Sequence, residues 1–116
     1  MTTTENLEVF KRAHVLTIYI YKITEKFPKS ELFGLVSQMR RAAVSINSNL
    51  MEGAARKTNG EYKQFVGISR GSVEELLYQI MVVRDLGYIN ETIAKRTIEE
   101  LRQIGKMLNG LMRNLK

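Results

Sequence analysis

The stretch from Glu31 to Lys57 constrains the fold more than any other part of the chain. Leu32, Leu35, Met39, Ala43, Ile46 and Leu50 recur there in steps of three and four, which return side chains to one side of a 3.6-residue helix. A second stripe lies roughly a quarter turn away, at about 100° per residue. It reads Gln38, Ser45, Asn49, Glu52 and Arg56, with Arg41 beside it. A surface helix usually sets its polar side chains opposite its core. Short amides and a hydroxyl next to the apolar stripe instead predict a seam in which polar groups must find partners.

Three further segments carry the same period. Val9, Ala13, Leu16, Ile20, Ile23 and Phe27 form a heptad-like seam over residues 5–27, widened by Phe10, Thr17 and Tyr21. Val15, Ile18 and Tyr19 fall on a different face. They are either ordinary scattered surface residues or a subunit contact. Pro28 disfavours helix at Phe27, and Ser30 can cap a second helix over 31–56. Thr58 followed by Glu61 matches a capping box and opens a third helix over 59–86. Its buried side reads Phe65, Ser69, Ser72, Val73, Leu76, Ile80 and Val83. Gly67 and Gly71 lie one turn apart in that helix, each costing about 1 kcal/mol relative to alanine; either another helix backbone approaches closely there, which is the simpler expectation, or they are tolerated weak spots. Gly87 suits the left-handed position after a helix end. Asn90 caps a fourth helix over 90–115, striped by Ala94, Ile98, Leu101, Ile104, Leu108, Leu111 and Leu115. Four helices of similar length with short connections predict an all-α fold, an antiparallel up-down-up-down four-helix bundle. A length of 116 residues fits a single domain over 1–116.

Composition narrows the chemistry. With no cysteine and one histidine, His14, thiolate and histidine metal sites within one chain are not expected. No GxGxxG, P-loop or G-x-S-x-G motif is present, and the Glu-x-x-His pairs of a di-metal bundle are missing. Adjacent Glu74 and Glu75 point about 100° apart on a helix, so they cannot act on one group. No enzyme activity, metal or cofactor is expected. No apolar run approaches the roughly 18 residues of a membrane span. Met1 to Glu5 begin no secretory signal; with the absence of cysteine, that predicts a cytoplasmic location.

Eighteen basic residues against twelve acidic give a net charge of +6, which favours polyanionic partners or serves solubility alone. Arg40, Arg41, Arg56, Lys57, Lys63 and Arg70 concentrate in one segment and are the candidate phosphate contacts, with no sequence-reading motif among them. The polar seam is the other candidate site. Its members are Gln38, Ser45, Asn49, Glu52, Ser72 and Glu75; Gln38, Asn49 and Glu52 could meet Ser72, Glu75 or Gln79 of the third helix, as a register-fixing network or as a ligand site. Arg96, Arg102, Lys106, Arg113 and Lys116 decorate the outer surface of the fourth helix.

The segment Phe27-Pro28-Lys29-Ser30-Glu31, then Gly34-Leu35, Gln38 to Ile46, Asn49, Glu52-Gly53 and Arg56, resembles the signature of a bacterial four-helix-bundle family. Its members include proteins encoded in intervening sequences of 23S rRNA genes, often labelled ribosomal. Gly71 to Leu76 with Gln79, Leu86-Gly87-Tyr88, and Lys106-Met107-Leu108 with Leu111 extend the match, while Ser69 and Leu77 depart from it. The resemblance implies a bundle that assembles as a pentameric ring, without enzyme activity and without a place in the ribosome itself. That family is similar to the accessory protein of diversity-generating retroelements, a basic pentameric barrel that binds nucleic acid and a reverse transcriptase. The reading that results is a homo-oligomeric adaptor that binds RNA or DNA, with a reverse transcriptase as a partner implied by the resemblance. Its alternative is a protein-interaction scaffold with no nucleic-acid role.

Overall fold

The computed structural model describes residues 4–116. Four long helices carry the architecture: α1 (Glu8–Thr24), α2 (Ser37–Ala54), α3 (Asn59–Asp85) and α4 (Glu91–Asn114). A 3₁₀ turn, Thr4–Asn6, precedes α1. A second, Lys29–Glu31, and a widened turn, Leu32–Val36, lead into α2. Among the described residues there is no strand, and no helix is long and apolar enough to cross a membrane.

Local chemistry sets the helix ends. The Thr58 hydroxyl accepts the Glu61 backbone N–H at 3.1 Å and donates to the Glu61 carboxylate at 3.2 Å, so the capping box opens α3. The Asn90 side-chain oxygen accepts the Ile93 N–H at 2.8 Å and opens α4. Gly87 sits at φ 79°, and the Tyr88 N–H returns to the Val83 carbonyl at 2.9 Å, closing α3 with the left-handed turn that glycine allows.

The helices run antiparallel, because cross-helix contacts pair rising numbers with falling ones. From α1 to α2, Phe10 meets Asn47, Thr17 meets Ala43 and Thr24 meets Arg40. From α2 to α3, Ser45 meets Ser72 and Ile46 meets Ser69, while Gly53 lies against Tyr62 and Phe65. From α3 to α4, Asn59 meets Lys116 and Arg70 lies over Gly105. Arg12 of α1 holds Glu100 of α4 through two bonds of 2.6 and 3.0 Å, which closes the bundle. The result measures 43 × 24 × 22 Å. One continuous core includes Ile20, Met39, Ile46, Leu50, Leu76, Ile80, Leu101, Ile104 and Leu108, all fully buried.

Three expectations change. The first helix ends at Thr24, three residues before Phe27, because the chain turns inward ahead of Pro28 and buries Phe27 against Tyr88, with ring centroids 5.3 Å apart. The regular part of the second helix begins at Ser37, after a kink where Gly34 adopts φ −110°, ψ −109°. That break shifts the apolar stripe, so Leu32 is 49 % exposed while Val36 takes the buried position. Gly67 and Gly71 have no neighbour within 4 Å of an added Cβ. The close approach of α2 and α3 is instead at Gly53, where a Cβ would lie 2.7 Å from that of Phe65.

The Tyr88 hydroxyl donates to the Glu31 carboxylate at 2.9 Å and ties the α1–α2 connection to the α3–α4 connection. That hydrogen bond to the neutral phenol holds Tyr88 above the usual tyrosine range. An unfolded tyrosine titrates near 10, so the stabilisation is complete below about pH 10 and is lost as pH rises through the folded value. Tyr88→Phe is expected to lower the melting temperature at neutral pH and to melt with a flatter pH dependence above about pH 10. Thermal melts of both proteins across that range check it.

Candidate nucleic-acid interface

The six cations singled out in the sequence fall into three places. Arg40 faces α1, its guanidinium 4.6 Å over the Tyr21 ring. It donates to the Thr24 hydroxyl at 3.0 Å and the Tyr21 carbonyl at 3.2 Å, satisfying a carbonyl of α1's last turn. Arg41 is exposed nearby. Arg56, Lys57 and Lys63 gather where the α2–α3 connection begins and α3 opens. Arg56 stacks 4.7 Å over Phe65 and lies 3.8 Å from Glu52, while Lys57 and Lys63 are exposed. Arg41 and Arg56, fifteen residues apart, are separated by roughly 22 Å along the helix direction. Arg70 belongs to neither group, because it turns into the furrow between α3 and α4.

The polar seam is narrower than its sequence pattern. Ser45 donates to the Ser72 hydroxyl at 2.5 Å, and Ser69, which the pattern had placed only among buried residues, donates to the Ile46 carbonyl at 2.7 Å. Asn49 turns back to the Ser45 carbonyl of its own helix at 2.8 Å. Glu52 faces Arg56, Glu75 faces Gln79 at 3.4 Å, and Gln38 is exposed. Thr17 and Asn47, which the seam did not include, bridge α1 to α2 through the Ala43 and Phe10 carbonyls at 3.2 and 2.8 Å. The Ser45–Ser72, Ser69–Ile46, Thr17–Ala43 and Asn47–Phe10 contacts fix neighbouring helices against each other.

The α3–α4 furrow gathers charge that the linear sequence scattered. Arg70 from α3 and Arg102, Lys106 and Asn109 from α4 line it, with Glu74 as its one carboxylate. Arg102, Lys106 and Arg113 share one side of α4 by their spacing of four and seven, and Lys63 precedes Arg70 by seven. The Asn59 amide donates to the Lys116 carbonyl at 3.3 Å, which brings the foot of the furrow to the α2–α3 end. By these spacings, cations recur along the α3–α4 side from Arg102 to Lys57 as a basic strip, with Glu61 and Glu74 among them. Arg102, Lys106 and Arg113 were not singled out from sequence as contacts; their repeat beside the Leu101, Ile104 and Leu108 stripe was the available signal.

A second surface is apolar. Val15 is 69 % exposed, Ile18 45 % and Phe33 92 %. Tyr21, Leu32, Phe33, Val36 and Val44 line a groove of about 490 Å³ between α1 and the kinked entry to α2, with Ser37, Arg40 and Arg41 on its rim. Ile18 and Tyr21 are one turn apart on α1, so the groove continues into the Val15 face.

Among solved structures, a protein of unknown function from the S23 ribosomal protein family of Bacteroides thetaiotaomicron VPI-5482 superimposes with a TM-score of 0.81 at 17 % identity. The match covers 91 % of this chain and 99 % of that one, a likeness of fold. No curated protein matches the sequence. Residues 5–110 match the 23S rRNA-intervening sequence protein family, and the chain belongs to that family.

Proposed function

We propose that this protein is a non-enzymatic, homo-oligomeric bundle that binds the phosphate backbone of RNA or DNA along its α3–α4 strip. The observation that carries the reading is the convergence of Arg70, Arg102 and Lys106 on one furrow with a single opposing carboxylate. Phosphate contacts position a nucleic acid without reading its sequence, in keeping with the absence of a recognition-helix motif. Self-association uses the α1–α2 apolar face. Assembly through that face would repeat the strip on every copy, and five copies is the number implied by the family resemblance. A reverse-transcriptase partner is proposed from the same resemblance, and a cytoplasmic location from the cysteine-free composition.

The test is a titration of mixed-sequence RNA and DNA across salt. With about five phosphates engaged, affinity is expected to fall on the order of 100-fold between roughly 50 and 200 mM salt. The double variant Arg102→Glu, Lys106→Glu is expected to bind at least about tenfold more weakly than wild type at fixed salt. Lys26→Glu, a charge reversal on the exposed end of α1's connection, is expected to bind as wild type within about twofold. Binding that ignores salt and charge reversal alike favours the scaffold alternative, in which the apolar face meets another protein.

A further inference from the structure

We infer that the upper part of the α3–α4 furrow is a pocket for a terminal phosphomonoester, the phosphorylated end of a nucleic-acid strand. The inference rests on the nucleic-acid reading above and narrows what the strip holds. The cavity measures about 170 Å³. That is below the roughly 300–1,000 Å³ of pockets that take whole small molecules, so a phosphoryl group fits where a nucleoside does not. A bridging phosphodiester carries one charge and a sugar on either side, which keeps it on the rim. A monoester carries about −1.5 to −2 at neutral pH and presents three free oxygens.

The charge of the pocket suits that dianion. Arg70, Arg102 and Lys106 supply three positive charges and Glu74 one negative, so 3 − 1 leaves +2. The Asn109 side chain adds amide donors. Arg70 is already in place. Its guanidinium lies against α4 at Gly105, where an added Cβ would sit 3.3 Å from Cζ and 3.4 Å from Nε. Glycine at that position is what lets the planar group lie down on the neighbouring helix. Glu74 lies 3.2 Å from the Arg70 Nη1 but is itself 59 % exposed. The Arg70 side chain is 29 % exposed and its Nη1 is buried, so a dianion with several donors competes with an ion pair solvated mainly on the Glu74 side. A fork-shaped guanidinium suits phosphate oxygens better than an ammonium does.

The experiment uses the full chain and three RNA oligonucleotides of one sequence, ending in a 5′-phosphate, a 3′-phosphate or hydroxyls only. Fluorescence anisotropy at about 150 mM salt is expected to show one phosphorylated form binding at least about tenfold tighter than the hydroxyl form. That preference should fall below about threefold in Arg102→Gln, Lys106→Gln. It should fall likewise in Gly105→Ala, which moves only the far end of the Arg70 side chain and leaves the helices in place. Inorganic phosphate, titrated alone and followed by amide shifts of residues 70 and 102–106, tests whether a free anion occupies the same place. Equal affinity for all three ends overturns the pocket while leaving backbone binding intact. Failure of every oligonucleotide to bind overturns the wider reading, and the phosphate titration then decides the pocket alone: shifts that vanish in Gly105→Ala support it, and unchanged spectra overturn it.

Discussion

Replacing Ile18 and Phe33 together by aspartate is expected to convert the multimer proposed above to a single 13.3 kDa subunit. Phe33 projects from the kinked turn ahead of α2 and is almost wholly exposed at 92 %. With Val15, Ile18, Tyr19, Tyr21, Leu32 and Val44, all exposed, it gives seven large apolar side chains on the α1 and α2-entry side, more than the singly scattered apolar residues of an ordinary surface. Two carboxylates placed inside a dry contact would lose their water without gaining partners, at a cost of several kcal/mol. Neither side chain belongs to the buried core, so each subunit should keep its helical circular dichroism. Light scattering of both proteins decides the matter, and a wild-type mass of one subunit would end the assembly proposal.

Gly53→Ala is expected to destabilise the fold by about 2 kcal/mol, or about 10 °C in melting temperature for a domain of this size. A methyl group there would stand 2.7 Å from the Phe65 Cβ, 3.0 Å from the Tyr62 ring and 3.2 Å from the Tyr62 carbonyl. The first and last of these belong to the α3 main chain or its immediate branch and cannot swing aside. The two helices must separate, and overpacking of this kind costs about 1–3 kcal/mol or more. It works against a gain of about 1 kcal/mol for removing a helical glycine. Gly67→Ala and Gly71→Ala provide the contrast. Both positions face open space within the chain, so each is expected to be neutral or to stabilise by up to about 1 kcal/mol. Melts at one protein concentration compare all three, since assembly shifts apparent stability by mass action. A Gly53→Ala protein that melts at or above wild type would contradict the close packing.

Apolar periodicity exposed most of the fold because helix burial is a local property. Met39, Ala43, Ile46 and Leu50 repeat on one side of α2 and are all buried, and Leu101, Ile104 and Leu108 do the same in α4. Two of the three expected caps were equally legible, since Thr58 and Asn90 bond within three residues of themselves, whereas Ser30 lies inside the 3₁₀ turn ahead of the kink and caps no helix. Properties that depend on what lies across a helix gap were not. Nothing local to Gly53 distinguishes it from Gly67, yet one is buried under Phe65 and the other is exposed. Leu32 continued the right period but lay before a kink that the period could not register. The polar stripe of α2 overstated the seam because Asn49 and Glu52 find partners on their own helix. Arg70 and Lys106 are thirty-six positions apart in the sequence and share one furrow only after α3 and α4 pack.

Every buried polar side chain among the described residues is neutral: four threonines, two serines and one glutamine. Burying an ionised group would have tied folding to proton and salt concentration, and here the interior holds none. Buffer changes that strip a polyanion from the outside should therefore leave the framework undisturbed. Dissociation of a charged ligand and loosening of the protein can be told apart in a single salt series, with the anisotropy of a labelled oligonucleotide following the one and far-ultraviolet dichroism the other.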